Sequence, residues 1–171
     1  MNETNIANDM EFFKGKEDPE APVSEEIGNE EMAGMKLKIP KPIYDKATKC
    51  KILDVKFFKN ETPEKDKNGT EYIPFFATVS YQEVANAAVE FKETYRGGRL
   101  YITPEKTSLY IGPQSAMGKM KIACVESGIM IGNNVMAWAA SMKDKIATLK
   151  SDTVTWQGKK YDKNYILSIE N

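Results

Sequence analysis

The sequence predicts a mostly β domain: a small β-barrel with one or two short helices inserted between strands, behind an acidic N-terminal arm. Three observations predict it. Short runs rich in Val, Ile, Tyr, Phe and Thr alternate apolar with polar positions and are separated by turn residues. One stretch of small, helix-tolerant residues interrupts them. The charge is divided. Residues 1–34 hold ten acids against two lysines, a net of −8, whereas residues 35–171 hold 22 bases against 15 acids, a net of +7.

Residues 1–34 are read as a disordered acidic arm. They are polar, poor in β-branched residues and broken by Pro19 and Pro22, so burial offers little against the entropy of ordering. Their apolar cluster, Met10-Glu11-Phe12-Phe13, reads either as a docking motif or as part of the arm. Residues 35–171 form the domain, and Met35 to Ile43 are an extended, basic lead-in with Pro40 and Pro42.

The first strand is expected at Cys50–Phe58, where Leu53, Val55 and Phe57 alternate. Lys59 to Gly69 form a charged hairpin tip ending in the Asn68-Gly69 turn. A second strand follows at Glu71–Tyr81. A third runs from about Ala87 to Tyr95, with Val89 and Phe91 on one side. Gly97-Gly98 reads as a turn into a fourth strand at Arg99–Thr103.

Pro113 to Ser127 then reads as a helix stopped by Gly128. Asn133 or Asn134 caps a second helix carrying Val135, Trp138 and Met142. Strands resume at Lys145–Leu149 and Thr153–Trp156. Gln157-Gly158 turns the chain into a last strand at Lys160–Ile169. An OB fold also places its helix between its third and fourth barrel strands, so this order is that of an OB-fold-like barrel.

Several function classes are disfavoured. No apolar run approaches 18 residues, so no membrane span is expected. The N-terminus has no basic and apolar leader pattern, and a cytoplasmic setting is expected (host cytoplasm if the chain is phage-encoded). Histidine is absent and the two cysteines, Cys50 and Cys124, lie far apart, which rules out a Cys/His zinc site and every Ser-His or Cys-His pair. Both thiols read as small buried hydrophobes. No cofactor and no catalytic residue is expected. Gly112 to Met120 superficially resembles a phosphate-binding loop, but five residues separate Gly112 from Gly118, and Met120 stands where Ser or Thr is needed.

The positive signal is cations interleaved with aromatic rings. Around Gly97-Gly98 stand Lys92, Tyr95, Arg96, Arg99 and Tyr101. The last hairpin carries Trp156, Lys159, Lys160, Tyr161, Lys163 and Tyr165, and the first carries Lys56, Phe58, Lys59 and Tyr72. Cations neutralise phosphates while bases stack on flat rings, for about 1–3 kcal/mol each. The expected phosphate contacts are Lys56, Lys92, Arg96, Arg99, Lys159, Lys160 and Lys163. Tyr72, Tyr95, Tyr101 and Tyr161 are the expected stacking rings. The competing reading is that aromatics fill the core and lysines mark solvated faces. On that view Trp156 and Phe91 are the first core candidates, while Tyr72 and Tyr101 are the more exposed rings.

Lys145–Lys150, Trp156–Ile166 and Phe91–Leu100 together resemble phage-type single-stranded DNA-binding proteins with an OB fold. The resemblance spans about residues 45–171. It implies sequence-independent binding and protection of single-stranded DNA in replication, recombination or repair, with self-association along the strand. It also implies contacts to replication or recombination proteins through the acidic arm. The arm departs from the cellular members, which carry theirs at the C-terminus. Here it serves either to compete for the basic groove or to dock a partner. The alternative is a non-enzymatic structural or protein-interaction module, such as a virion or accessory component.

Overall fold

The computed structural model describes residues 40–132, 134–156 and 158–171, with the side chain of Trp156 excluded. The expectations for residues 1–34, for most of the lead-in and for Trp156 as a core member lie outside the described residues.

The described chain forms seven strands and two helices. In order these are β1 (Thr48–Lys59), β2 (Glu64–Lys65), β3 (Glu71–Glu83), β4 (Glu90–Ile102), β5 (Thr107–Ile111), α1 (Ala116–Glu126), α2 (Val135–Met142), β6 (Ile146–Trp156) and β7 (Lys159–Glu170). The sheet runs β5-β4-β3-β1-β6-β7, with β2 paired to β3 off this path. Every pairing is antiparallel. The mostly β class with two short inserted helices is as the patterning predicts. No described helix is long and apolar enough to cross a membrane.

Strand alternation builds the core. Phe75, Ala77, Val79 and Tyr81 of β3 point inward and meet Cys50, Ile52 and Val55 of β1. A register shift between Ile52 and Asp54 explains why the inward positions of β1 change parity there. Ala147, Leu149, Ile166 and Ile169 complete the strand contribution. The helices cover the core with Met117, Met120, Ala123, Cys124, Trp138 and Met142. Trp138 is buried, and its indole Nε1–H donates to Cys124 Sγ at 3.4 Å. Its burial alone removes on the order of 200 Å² from water, about 5 kcal/mol.

Helix boundaries follow local hydrogen bonding. Ser115 caps α1: its Oγ accepts from the Gly118 amide at 3.0 Å and donates to the Gly112 carbonyl at 2.6 Å. A Cβ on Gly118 would lie 2.0 Å from Gly112 O, so this glycine exists to let α1 pack on its own leading loop. The Gly112–Lys119 run is therefore a tight helix start. Asn134 Oδ1 accepts from Ala137 N at 2.7 Å and caps α2.

Two strand readings need correction. Gly97-Gly98 is not a turn between strands. It lies inside β4, a single 13-residue strand, at a register shift opposite Phe75 and Phe76. Gly97 has φ +121, which a bulge exploits and which side-chain-bearing residues avoid. Likewise the two expected strands at Lys145–Leu149 and Thr153–Trp156 are one continuous β6.

The sheet path does not close through a backbone ladder between β4 and β7. Side chains and the lead-in bridge that seam. Tyr95 Oη donates to Asn164 O at 2.6 Å, and Lys163 Nζ donates to Thr94 O at 2.6 Å. Glu93, wholly buried, accepts from Asn164 N at 3.1 Å and from Lys41 Nζ at 3.0 Å. Lys41 also donates to Asp162 O, and Pro42 O accepts from Asn164 Nδ2. A partly open barrel of this kind is compatible with an OB-like architecture.

Candidate nucleic-acid interface

The outward face of β1, β3 and β4 follows from register. Because Phe75, Ala77, Val79 and Tyr81 point inward, Tyr72, Pro74, Phe76, Thr78 and Ser80 take the opposite face, where Tyr72 and Pro74 are nonetheless covered. Residues directly opposite share a face. Asp54, Ser80 and Lys92 therefore form one row, Lys56, Thr78 and Thr94 a second, and Phe58, Phe76 and Arg96 a third. Beyond the Gly97 bulge, Arg99 pairs with Pro74. Tyr101, two residues on, packs against Tyr72 at 5.9 Å between ring centroids.

The bulge decides the character of this face. Arg96 and Arg99 are three apart, so on a regular strand they would point to opposite sides. The extra residue restores parity, so both arginines leave the strand on the same face, opposite Phe76 and Pro74, although their guanidinium groups are buried there.

Two aromatic pairs show how adjacent phenylalanines divide between faces. Phe57 and Phe75 stack inside at 5.7 Å, with Phe57 also 5.2 Å from Trp138. Phe58 and Phe76 stack outside at 5.3 Å and 21°. Phe58 is 42% exposed and offers a flat ring beside Lys56.

At the other end, Arg99 Cζ lies 4.4 Å from the centroid of Tyr72. The tip between β1 and β3 is ordered around Asp66. Its Oδ1 accepts from Asn68 N and Thr70 N, both at 2.9 Å, and its Oδ2 accepts from Tyr101 Oη at 3.1 Å. Burial pushes the Asp66 carboxyl up. The Thr70 and Asn68 amides, the Tyr101 hydroxyl and the nearby Arg99 charge outweigh it and hold the group below the usual carboxylate range. Burial raises the Tyr101 phenol, which Arg99 partly offsets.

Of the residues expected from sequence, Lys56, Lys92, Arg96, Arg99, Tyr72 and Tyr101 come together on this face. Lys56 and Lys92 are exposed, and Lys56 Nζ is 3.9 Å from Asp54, whereas Arg96 and Arg99 are buried at 3% and 2% exposed and would have to turn outward to meet a phosphate. Lys159 and Lys160 are exposed and Tyr161 half-buried on the β6–β7 hairpin, outside the three-strand face.

Three expected roles are corrected. Tyr95 cannot stack on a base: it is fully buried, and its hydroxyl lies 2.9 Å from Tyr81 Oη and donates to Asn164 O. Burial lifts its phenol well above the ordinary range. Lys163 is 3% exposed and bridges β4 to β7, with Nζ on Thr94 O and 3.9 Å from Glu93, instead of meeting a phosphate. Tyr72 is not an exposed ring: it is 2% exposed, with Arg99 over its face and Tyr101 at its side. Sequence reasoning also missed Phe76. The signal was the doublet Phe75-Phe76 on an alternating strand, which must send one ring outward.

Comparison with family models, curated proteins and solved structures gives no match. The functional reading therefore rests on geometry. Outside the three-strand face, a cleft of about 500 Å³ lies between α1 and β6–β7, lined by Lys119, Ile122, Lys150, Tyr165 and Leu167 among others. Lys119 Nζ stands 4.6 Å over the Tyr165 ring there. Both cysteines are free and buried. Among the described residues no group of three or more Cys, Asp or Glu is placed to hold a metal ion.

Proposed function

We propose that the domain binds single-stranded DNA without sequence preference, protecting it during replication, recombination or repair. The observation that carries this reading is the Gly97 bulge, which sets Arg96 and Arg99 on the same face as the Phe58–Phe76 stack, Tyr101, Lys56 and Lys92. Cations spaced along a β face track a phosphate backbone, and an exposed ring accepts any base because every base has a π face. Bases in a duplex are already stacked on one another and do not present those faces.

A fluorescence titration with oligo-dT over a range of salt concentrations tests it. If Lys56, Lys92, Arg96 and Arg99 each meet a phosphate, the slope of log K against log salt is about −3. Tyrosine or tryptophan emission changes on binding, and duplex DNA competes poorly. Absence of binding at low salt removes this reading. The rival is then a non-enzymatic structural or protein-interaction module. What favours that rival is the α1–β7 cleft, with Ile122 44%, Val125 57% and Leu167 50% exposed on those two elements.

A further inference from the structure

Arg99 is 2% exposed, yet its Nη1 and Nη2 are both shielded from solvent and make no hydrogen bond. A buried guanidinium with unused donors costs free energy, and packing alone would be served better by an apolar side chain. The cation rests on the Tyr72 ring at 4.4 Å. Asp66, just beyond β2, reaches across β3 to accept from Tyr101 Oη at 3.1 Å. Its carboxylate thus lies near Arg99 without engaging the two terminal nitrogens.

We propose that Arg99 is a covered seat for one backbone phosphate of a bound single strand, kept shut in the free protein by the Asp66–Tyr101 latch. This rests on the single-strand reading above and adds to it a specific phosphate contact and its cover. The two terminal nitrogens form a planar fork that suits two phosphate oxygens. A phosphodiester supplies the anion that Asp66 only approximates. When the strand displaces the carboxylate, the Tyr101 hydroxyl is freed, and the Tyr72 and Tyr101 rings open beside the phosphate to take a base.

Oligo-dT titrations on three variants test this. Asp66→Asn keeps the Oδ1 acceptor that orders the Asn68 and Thr70 amides but removes the charge and the acceptor facing Tyr101. Tyr101→Phe breaks the latch without changing charge and keeps the ring. Both are expected to tighten binding roughly tenfold, the worth of one hydrogen bond to a charged group. Arg99→Gln is expected to weaken binding and to reduce the salt slope by about 0.7, the signature of one lost phosphate contact on a single strand. If Arg99→Gln fails to fold, Arg99→Lys serves instead: it keeps the charge and loses the fork, so affinity falls with the slope unchanged. Wild-type affinity in both latch variants overturns the latch. An unchanged affinity and slope in Arg99→Gln, or an unchanged affinity in Arg99→Lys, overturns the phosphate seat. Failure of the wild-type protein to bind oligo-dT at low salt instead overturns the single-strand reading, and the phosphate seat with it.

Discussion

Phe57 and Phe58 are neighbours in sequence and point to opposite sides of β1, so truncating each should give opposite phenotypes. Phe58→Ala removes a ring that is 42% exposed and whose aromatic partner is Phe76 at 5.3 Å. The fold loses little beyond the ring pair, about 0.5–1.5 kcal/mol. A strand stacking on that ring loses about 1–3 kcal/mol, or roughly 5- to 150-fold in Kd. Phe57→Ala removes a ring packed between Phe75 and Trp138. It costs about 3 kcal/mol of stability, the low end for a phenylalanine truncation because Phe57 is only partly buried. Its folded fraction keeps wild-type affinity. Urea denaturation gives the first quantity and oligo-dT titration the second. A folded Phe58→Ala protein with unchanged Kd would refute the assignment of the outward face, whatever its stability.

Other perturbations read the seam and the buried groups. Tyr95→Phe removes the hydroxyl that donates to Asn164 O and meets Tyr81 Oη; urea denaturation should show a loss of about 1–3 kcal/mol with DNA affinity unchanged. Glu93→Gln removes the buried carboxylate that Lys41 and Lys163 approach at 3.0 and 3.9 Å, and thermal or urea unfolding should show about 3–5 kcal/mol lost. Asp66 has a depressed folded-state pKa. Its contribution is therefore present above the unfolded value near ~3.9 and is lost as pH falls through the lower folded value. Melting curves below about pH 4 should accordingly fall less steeply for Asp66→Asn than for wild type. Burial pushes the Cys124 thiol up to about 11, against the opposing Trp138 hydrogen bond. Iodoacetamide at mildly alkaline pH should leave it unmodified in the folded protein, as mass spectrometry would show, and the stability it lends should be lost between about pH 9 and 11.

What was legible in the sequence was mostly local. Asn134 and Gly128 mark helix ends because capping is decided within one turn of chain. Phe75 to Tyr81 reads as a strand because alternation is a local period. The Gly97-Gly98 pair was not separable from a turn, since both turn and bulge use the same conformational freedom. Only the ladder to Phe75 and Phe76 distinguishes them. That error mattered, because it placed Arg96 and Arg99 on separate strands when one bulged strand aligns them. Tyr95 could have been placed correctly: it shares parity with Phe91, itself a core candidate, and so belongs inside. The β4–β7 seam was not legible, because its bonds join residues 69 to 71 apart in sequence. Lys163 consequently read as a solvated base when it is a bridge.

Amide chemical-shift mapping of the isotope-labelled protein with oligo-dT locates the strand most directly. Contact with the outward face predicts the largest shifts at Lys56, Phe58, Phe76, Arg96, Arg99 and Tyr101, with the amides around Asp66 following as the tip moves. Shifts confined to α1 and β7 around Tyr165 and Leu167, or none at low salt, would contradict it.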